Sequence, residues 1–125
     1  MAKYRSIPVE EKVRIIRSLL EEKKAQDIVT LDVREICNFT DFFVICSGES
    51  LRQIKTISEH LEDNLKKAGI RIFKNTRTGG DDNWVVLDCL DVVVHIFEPE
   101  ARVFYNLERL WRTVEKREEH ERKDS

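Results

Sequence analysis

The stretch Trp84 to Phe97, WVVLDCLDVVVHIF, constrains this chain more than any other. It holds two dense runs of β-branched and aromatic residues, Trp84–Leu87 and Val92–Phe97, with Asp88 and Asp91 marking the break between them. Such side chains fit a pleated, packed surface, so both runs predict strands. A connection of about three residues makes the pair an antiparallel hairpin. A hairpin this apolar must be covered by other elements or by a partner. Two features depart from plain core. His95 interrupts an otherwise apolar strand, and carboxylates at Asp81, Asp82, Asp88 and Asp91 crowd the approach and the turn.

The remaining elements follow from periodicity and capping chemistry. Pro8 to Lys24 predicts a helix: Pro8 suits the first turn, Glu10 and Glu11 the positive end, Lys23 and Lys24 the other. Its apolar face is Val9, Val13, Ile16 and Leu20. Asp27 to Val33 reads as a strand, and Asn38 to Asp41 as a polar bend. Phe42–Cys46 does not alternate, which predicts an interior strand buried on both faces. Ser50 and Gln53 form a capping box for a second helix carrying Leu51, Ile54, Ile57, Leu61 and Leu65, which Gly69 ends. Ile70–Phe73 reads as a short strand near an edge, and Lys74 to Asn83 as a polar, mobile loop. After the hairpin, Glu98-Pro99-Glu100 opens a last helical region with Phe104, Leu107, Leu110, Trp111 and Val114 on one side. From Arg112 onward the chain is a charged, solvated extension. The order α-β-β-α-β-β-β-α predicts an α/β fold, a mixed sheet of about five strands with helices packed on it.

Composition sets limits on function. At 125 residues the chain is most simply one domain, and its net charge of −2 weighs against affinity drawn mainly from nucleic-acid phosphates. Cys37, Cys46 and Cys89 are widely spaced without a CxxC pair, so neither a disulfide framework nor a zinc site is suggested. No apolar run approaches the roughly 20 residues of a membrane span. The N-terminus lacks a signal-peptide core, so a cytoplasmic protein is expected.

Tests for catalysis find little. Ser47-Gly48-Glu49-Ser50 before a helix could hold an anion, but it lacks the P-loop lysine and Glu49 would repel phosphate; a capped turn is the simpler reading. A strand, a Gly-Ser turn and a helix also suit a nucleotidyltransferase, which needs two metal-binding carboxylates pointing to one face. No acid-x-acid pair lies in any expected strand. His95 could serve as a general base or a metal ligand, or simply as a hydrogen-bonded histidine bordering the sheet. His60, on the exposed side of the second helix, and His120 are no obvious co-ligands. Interaction chemistry fits better. Trp84 and Tyr105 are candidate surface aromatics, whereas Phe104 and Trp111 lie on the helical apolar face and read as core.

The hairpin, followed by E-x-R-x-F-Y-x-L-E-x-L-W (Glu100, Arg102, Phe104, Tyr105, Leu107, Glu108, Leu110, Trp111), closely resembles the Iojap-like ribosomal silencing factors, RsfS. KKAQDIVTLDV (Lys23–Val33) and TDFFVICSGESLRQI (Thr40–Ile54) resemble the same family in the same order. The likeness covers about residues 8 to 112, which sets a domain over 1–112 and a charged tail over 113–125. It implies a nucleotidyltransferase-like fold lacking the catalytic carboxylates, and no enzyme activity. It further implies docking on the large ribosomal subunit through its protein number fourteen, so that joining of the small subunit is sterically blocked when nutrients are short. No cofactor or metal is implied, and free family members often pair as homodimers. The positions carried over as contact or contact-supporting residues are Trp84, Asp88, Asp91, His95, Tyr105 and Glu108. Two rivals stand beside this reading: a nucleotide-binding or nucleotidyl-transferring enzyme, and an RNA-binding assembly factor. The chain departs from the family in the hairpin turn, where Cys89-Leu90-Asp91 replaces the usual aromatic-Gly-Asp. Glycine there often supplies a positive φ, which predicts either strain at Leu90 or a different turn.

Overall fold

Alternation within the hairpin decides the architecture. In the computed structural model, which describes residues 7–78 and 84–98, β4 (Trp84–Asp88) and β5 (Val92–Phe97) pair antiparallel, with Trp84 opposite Phe97 and Asp88 opposite Val93. Successive side chains point to opposite faces. Val85, Leu87, Cys89, Val92, Val94 and Ile96 therefore share one apolar layer, and Trp84, Val86, Val93 and Phe97 share the other.

β5 also pairs in parallel with β2 (Phe42–Ser47), and β2 pairs antiparallel with β1 (Gln26–Asp32). β4 is flanked by β3 (Lys74–Thr78), which completes the sheet order β1-β2-β5-β4-β3. β2, β5 and β4 are thus the interior strands, and β2 and β5 are buried along almost their whole length, which explains their unbroken apolar runs. A parallel pair needs a long crossover, and α2 (Leu51–Lys67) supplies it. α1 (Val9–Glu22) and α2 pack against each other on the Val44, Cys46, Val94 and Ile96 face. Ile16, Leu20, Ile54, Ile57, Leu61 and Leu65 are fully buried there. From outside the sheet, Val33, Ile36 and Cys37 pack against the opposite layer.

Local chemistry explains the element ends. Ser50 Oγ accepts from Gln53 N at 3.1 Å, and Gln53 Oε1 accepts from Glu49 N at 2.5 Å. The reciprocal bond of the capping box therefore falls one residue earlier than expected. Gln53 Nε2 reaches back to the carbonyls of Lys23 and Lys24, each at 3.3 Å, and ties the start of α2 to the end of α1. Gly48 sits so close to this turn that a Cβ would lie 2.8 Å from Ile54 Cγ1, so only glycine fits. Gly69, at φ 78°, ends α2 as expected.

The structure corrects several expectations. Ile70–Phe73 is not a strand: the Ile70 amide donates to Leu65 O at 2.8 Å, which folds this segment back under the helix end and buries Ile70. The edge strand is instead Lys74–Thr78, inside the stretch expected to be a mobile loop. A polar sequence is acceptable there because an edge strand faces water, and its Thr residues favour extended backbone. Leu51, placed on the buried face of α2, is exposed. His60 is part-buried, 3.4 Å from Glu22 of α1. Lys23 and Lys24 fall just beyond α1, with Lys24 at φ 59°. The acidic approach at Asp81 and Asp82, the last helical region and the tail lie outside the described residues.

Candidate functional site

Period-two alternation in β4 places Trp84, Val86 and Asp88 on the face opposite the helices. Val93 and His95 of β5 and Phe43 of β2 join them in register, since Phe43 is level with Val93 and Val86 with His95. Together with Phe39, these residues line an open groove of about 330 Å³. Five of the seven lining side chains are apolar or aromatic, and Asp88 is the sole formally charged one. Phe39 is 70% exposed, a costly position for a phenylalanine that a binding surface explains.

At the floor, Trp84 Nε1 donates to His95 Nδ1 at 3.2 Å, and the two rings stack at 5.8 Å between centroids. Phe43 meets the imidazole edge-on at 4.7 Å. Accepting at Nδ1 fixes the neutral tautomer with its proton on Nε2. Burial, which leaves His95 6% exposed, pushes its pKa down to about 4, so the ring is neutral at physiological pH. Nε2 has no hydrogen-bond partner among the described residues. This is a rigid aromatic stack rather than an acid–base centre, because a ring so reluctant to protonate is a poor proton carrier near neutrality.

The hairpin turn borders the groove. Leu90 stands at φ 78°, the strained alternative anticipated for this position, and is 55% exposed. The Asp91 amide bonds the Cys89 carbonyl across Leu90, a γ-turn of positive φ that glycine adopts without strain. Three bonds hold the turn: Cys89 N to Val92 O at 2.8 Å, Asp91 N to Cys89 O at 3.2 Å, and Leu90 N to Asp88 Oδ1 at 2.8 Å. Asp91 faces inward. Its Oδ1 accepts from Lys12 Nζ of α1 at 2.8 Å, and its carbonyl accepts the amides of Asp41 and Phe42.

Of the expected site residues, Trp84, Asp88 and His95 thus come together in one groove. Asp91 instead clasps α1 and the 38–42 bend to the turn, a supporting position. Tyr105 and Glu108 lie outside the described residues. Phe39, Phe43, Val86 and Val93 were not singled out from sequence. The alternation that puts Val86 beside Trp84 could have found the latter three, and a phenylalanine within a polar bend marks Phe39.

The features weighed for catalysis have other employment. Ser50 Oγ takes the Gln53 amide, Gln53 Oε1 takes the Glu49 amide just before the helix, and Glu49 Oε1 accepts from Gln26 Nε2 at 2.7 Å, so this is a capped turn bordered by a carboxylate that would repel an anion. Burial pushes the Cys46 and Cys89 thiols up to about 12, far from thiolate chemistry. No group of three or more His, Cys, Asp or Glu side chains among the described residues could hold a metal. No described helix is long and apolar enough to cross a membrane.

Among the described residues, the face of the sheet opposite α1 and α2 carries the aromatic groove. The family described as "Ribosomal silencing factor during starvation" matches residues 6–125, and the chain belongs to this RsfS family. Ribosomal silencing factor RsfS of Bacillus subtilis is 38% identical over 100 residues, 79% of this chain and 83% of that protein. A crystal structure of a Chromobacterium violaceum protein superposes with a TM-score of 0.77 at 30% identity, covering 84% of this chain and 87% of that one. A mouse relative, "Mitochondrial assembly of ribosomal large subunit protein 1", is 33% identical over 79% of this chain and 44% of its own length. These names are those of ribosome-associated regulatory and assembly factors.

Proposed function

We propose that this chain is a non-enzymatic translation repressor that docks on the large ribosomal subunit, in the cytoplasm, and blocks joining of the small one. In this reading its target is the large-subunit protein numbered fourteen, the action is steric, and no cofactor takes part. The groove on the face of the sheet opposite α1 and α2 carries the reading. Its aromatic walls and single carboxylate suit a protein surface with apolar side chains beside a cation. A phosphate backbone would require the opposite charge.

Trp84, Asp88 and His95 supply contacts from the groove, while Asp91 holds the turn that borders it. Tyr105 and Glu108 are assigned contact roles from the family motif alone. The fold, in the same reading, is nucleotidyltransferase-like with its catalytic carboxylates lost, and free copies pair through exposed apolar surface. Co-sedimentation with separated ribosomal subunits tests the docking. Wild-type protein should travel with the large subunit and not with the small one. Trp84→Ala, checked for its fold by circular dichroism, should bind about tenfold more weakly, as expected for a buried aromatic anchor. Normal co-sedimentation of this variant would show the surface to be wrong.

A further inference from the structure

Leu90 combines two unfavourable properties. It is a leucine at φ 78°, a region disfavoured for a side chain with a Cβ, and more than half of its apolar surface faces water. Among the described residues, the other non-glycine ones at positive φ are Lys24 and Asp27, both polar. Glycine would satisfy the turn without strain, so the leucine side chain contributes nothing to the hairpin that glycine lacks. The conformation persists because its surroundings over-determine it. Asp88 Oδ1 holds the Leu90 amide, Cys89 O holds the Asp91 amide, and Lys12 anchors the Asp91 carboxylate to α1.

The position of this turn gives the side chain a use. Asp88, which grips Leu90, also lines the groove. The Asp91 carbonyl binds the amides of Asp41 and Phe42, which brings the segment carrying exposed Phe39 to the same end of the sheet. Leu90 and Phe39, both exposed, thus stand on segments held to the same end of the sheet as Asp88, whose carboxylate is the one charge in the groove lining.

We propose that Leu90 is a hydrophobic anchor, presented on a strained turn, that inserts into an apolar site of a protein partner bearing a cation opposite Asp88. This rests on the docking reading above and names both a further contact residue and the chemistry of what it meets. Pre-set geometry suits such an anchor, since little conformational freedom remains to be lost on binding.

Opposite signs in two measurements test it. Leu90→Gly should raise the melting temperature by about 5 °C through relief of strain. It should also weaken binding to purified large subunits roughly tenfold, the worth of burying about half a leucine side chain. Leu90→Ala keeps the Cβ, and hence the backbone restriction, while losing the apolar arm; it should weaken binding to a similar degree. Asp88→Asn retains the oxygen that accepts from the Leu90 amide but removes the charge. It should weaken binding several-fold at low salt, by an amount that shrinks at high salt. Large-subunit binding by both Leu90 variants within twofold of wild type overturns the anchor. Loss of self-association with subunit binding intact would assign Leu90 to a second copy of the chain and likewise overturn it. Failure of the wild type itself to bind large subunits would sink the docking reading instead.

Discussion

Mild acid should destabilise this protein through His95 before most of its carboxylates titrate. The imidazole is neutral when folded, with a pKa lowered by burial from an ordinary 6.5 to about 4. A base whose folded pKa lies below its unfolded one is protonated first in the unfolded chain. Its contribution is therefore intact above about pH 6.5 and lost as the pH falls toward 4. A difference of roughly 2.5 units corresponds to about 3 kcal/mol in full, of which about 2 kcal/mol is gone by pH 5. Against a typical stability of about 5–15 kcal/mol, that is a large share. Asp32 does not confuse this window, because its side-chain hydrogen bonds from Arg34 hold its carboxyl below the usual range. Urea unfolding at pH 7.5 and pH 5, followed by far-ultraviolet circular dichroism, reads the loss directly. His95→Phe keeps the ring against Phe43 and Trp84 and removes the titration, so its stability should change far less between the two values. Equal wild-type stability at both, or an equal loss in the variant, would refute the buried neutral histidine.

Two further perturbations probe what frames the groove. Lys12→Met removes the cation from a pair in which Lys12 is 13% and Asp91 27% exposed. It should cost about 1–2 kcal/mol and loosen the turn, and a double-mutant cycle with Asp91→Asn should show coupling between the two. Gly48→Ala forces a Cβ against buried Ile54 and should lower the urea midpoint by about 1–3 kcal/mol of stability with the slope unchanged.

The sequence revealed the parts of this fold that rest on strong local patterns. The hairpin, the interior strand at Phe42, the capped start of α2 and its glycine stop all follow from periodicity or from a capping residue. β3 was hidden because an edge strand needs no apolar face, so Lys74–Thr78 looks like a loop until β4 is seen to pair with it. The groove was half legible. His95 and Asp88 depart from an apolar run and Trp84 reads as a candidate surface aromatic, yet bringing Phe43 and Phe39 to the same groove depends on β2 pairing with β5, which no local pattern encodes. Asp91 carried the same charge signal as Asp88 but turned inward, because Lys12, distant in sequence, waits there on α1. Leu90 was flagged by chemistry alone, since a turn that favours glycine held a leucine.

In the function proposed above, docking on the large subunit obstructs subunit joining. Light scattering of purified large and small subunits, mixed with increasing amounts of this protein, measures that step directly. Joining should fall with protein concentration when the protein is first bound to large subunits, and Trp84→Ala should need about tenfold more protein for the same inhibition. Normal joining at concentrations that saturate the large subunit would contradict it.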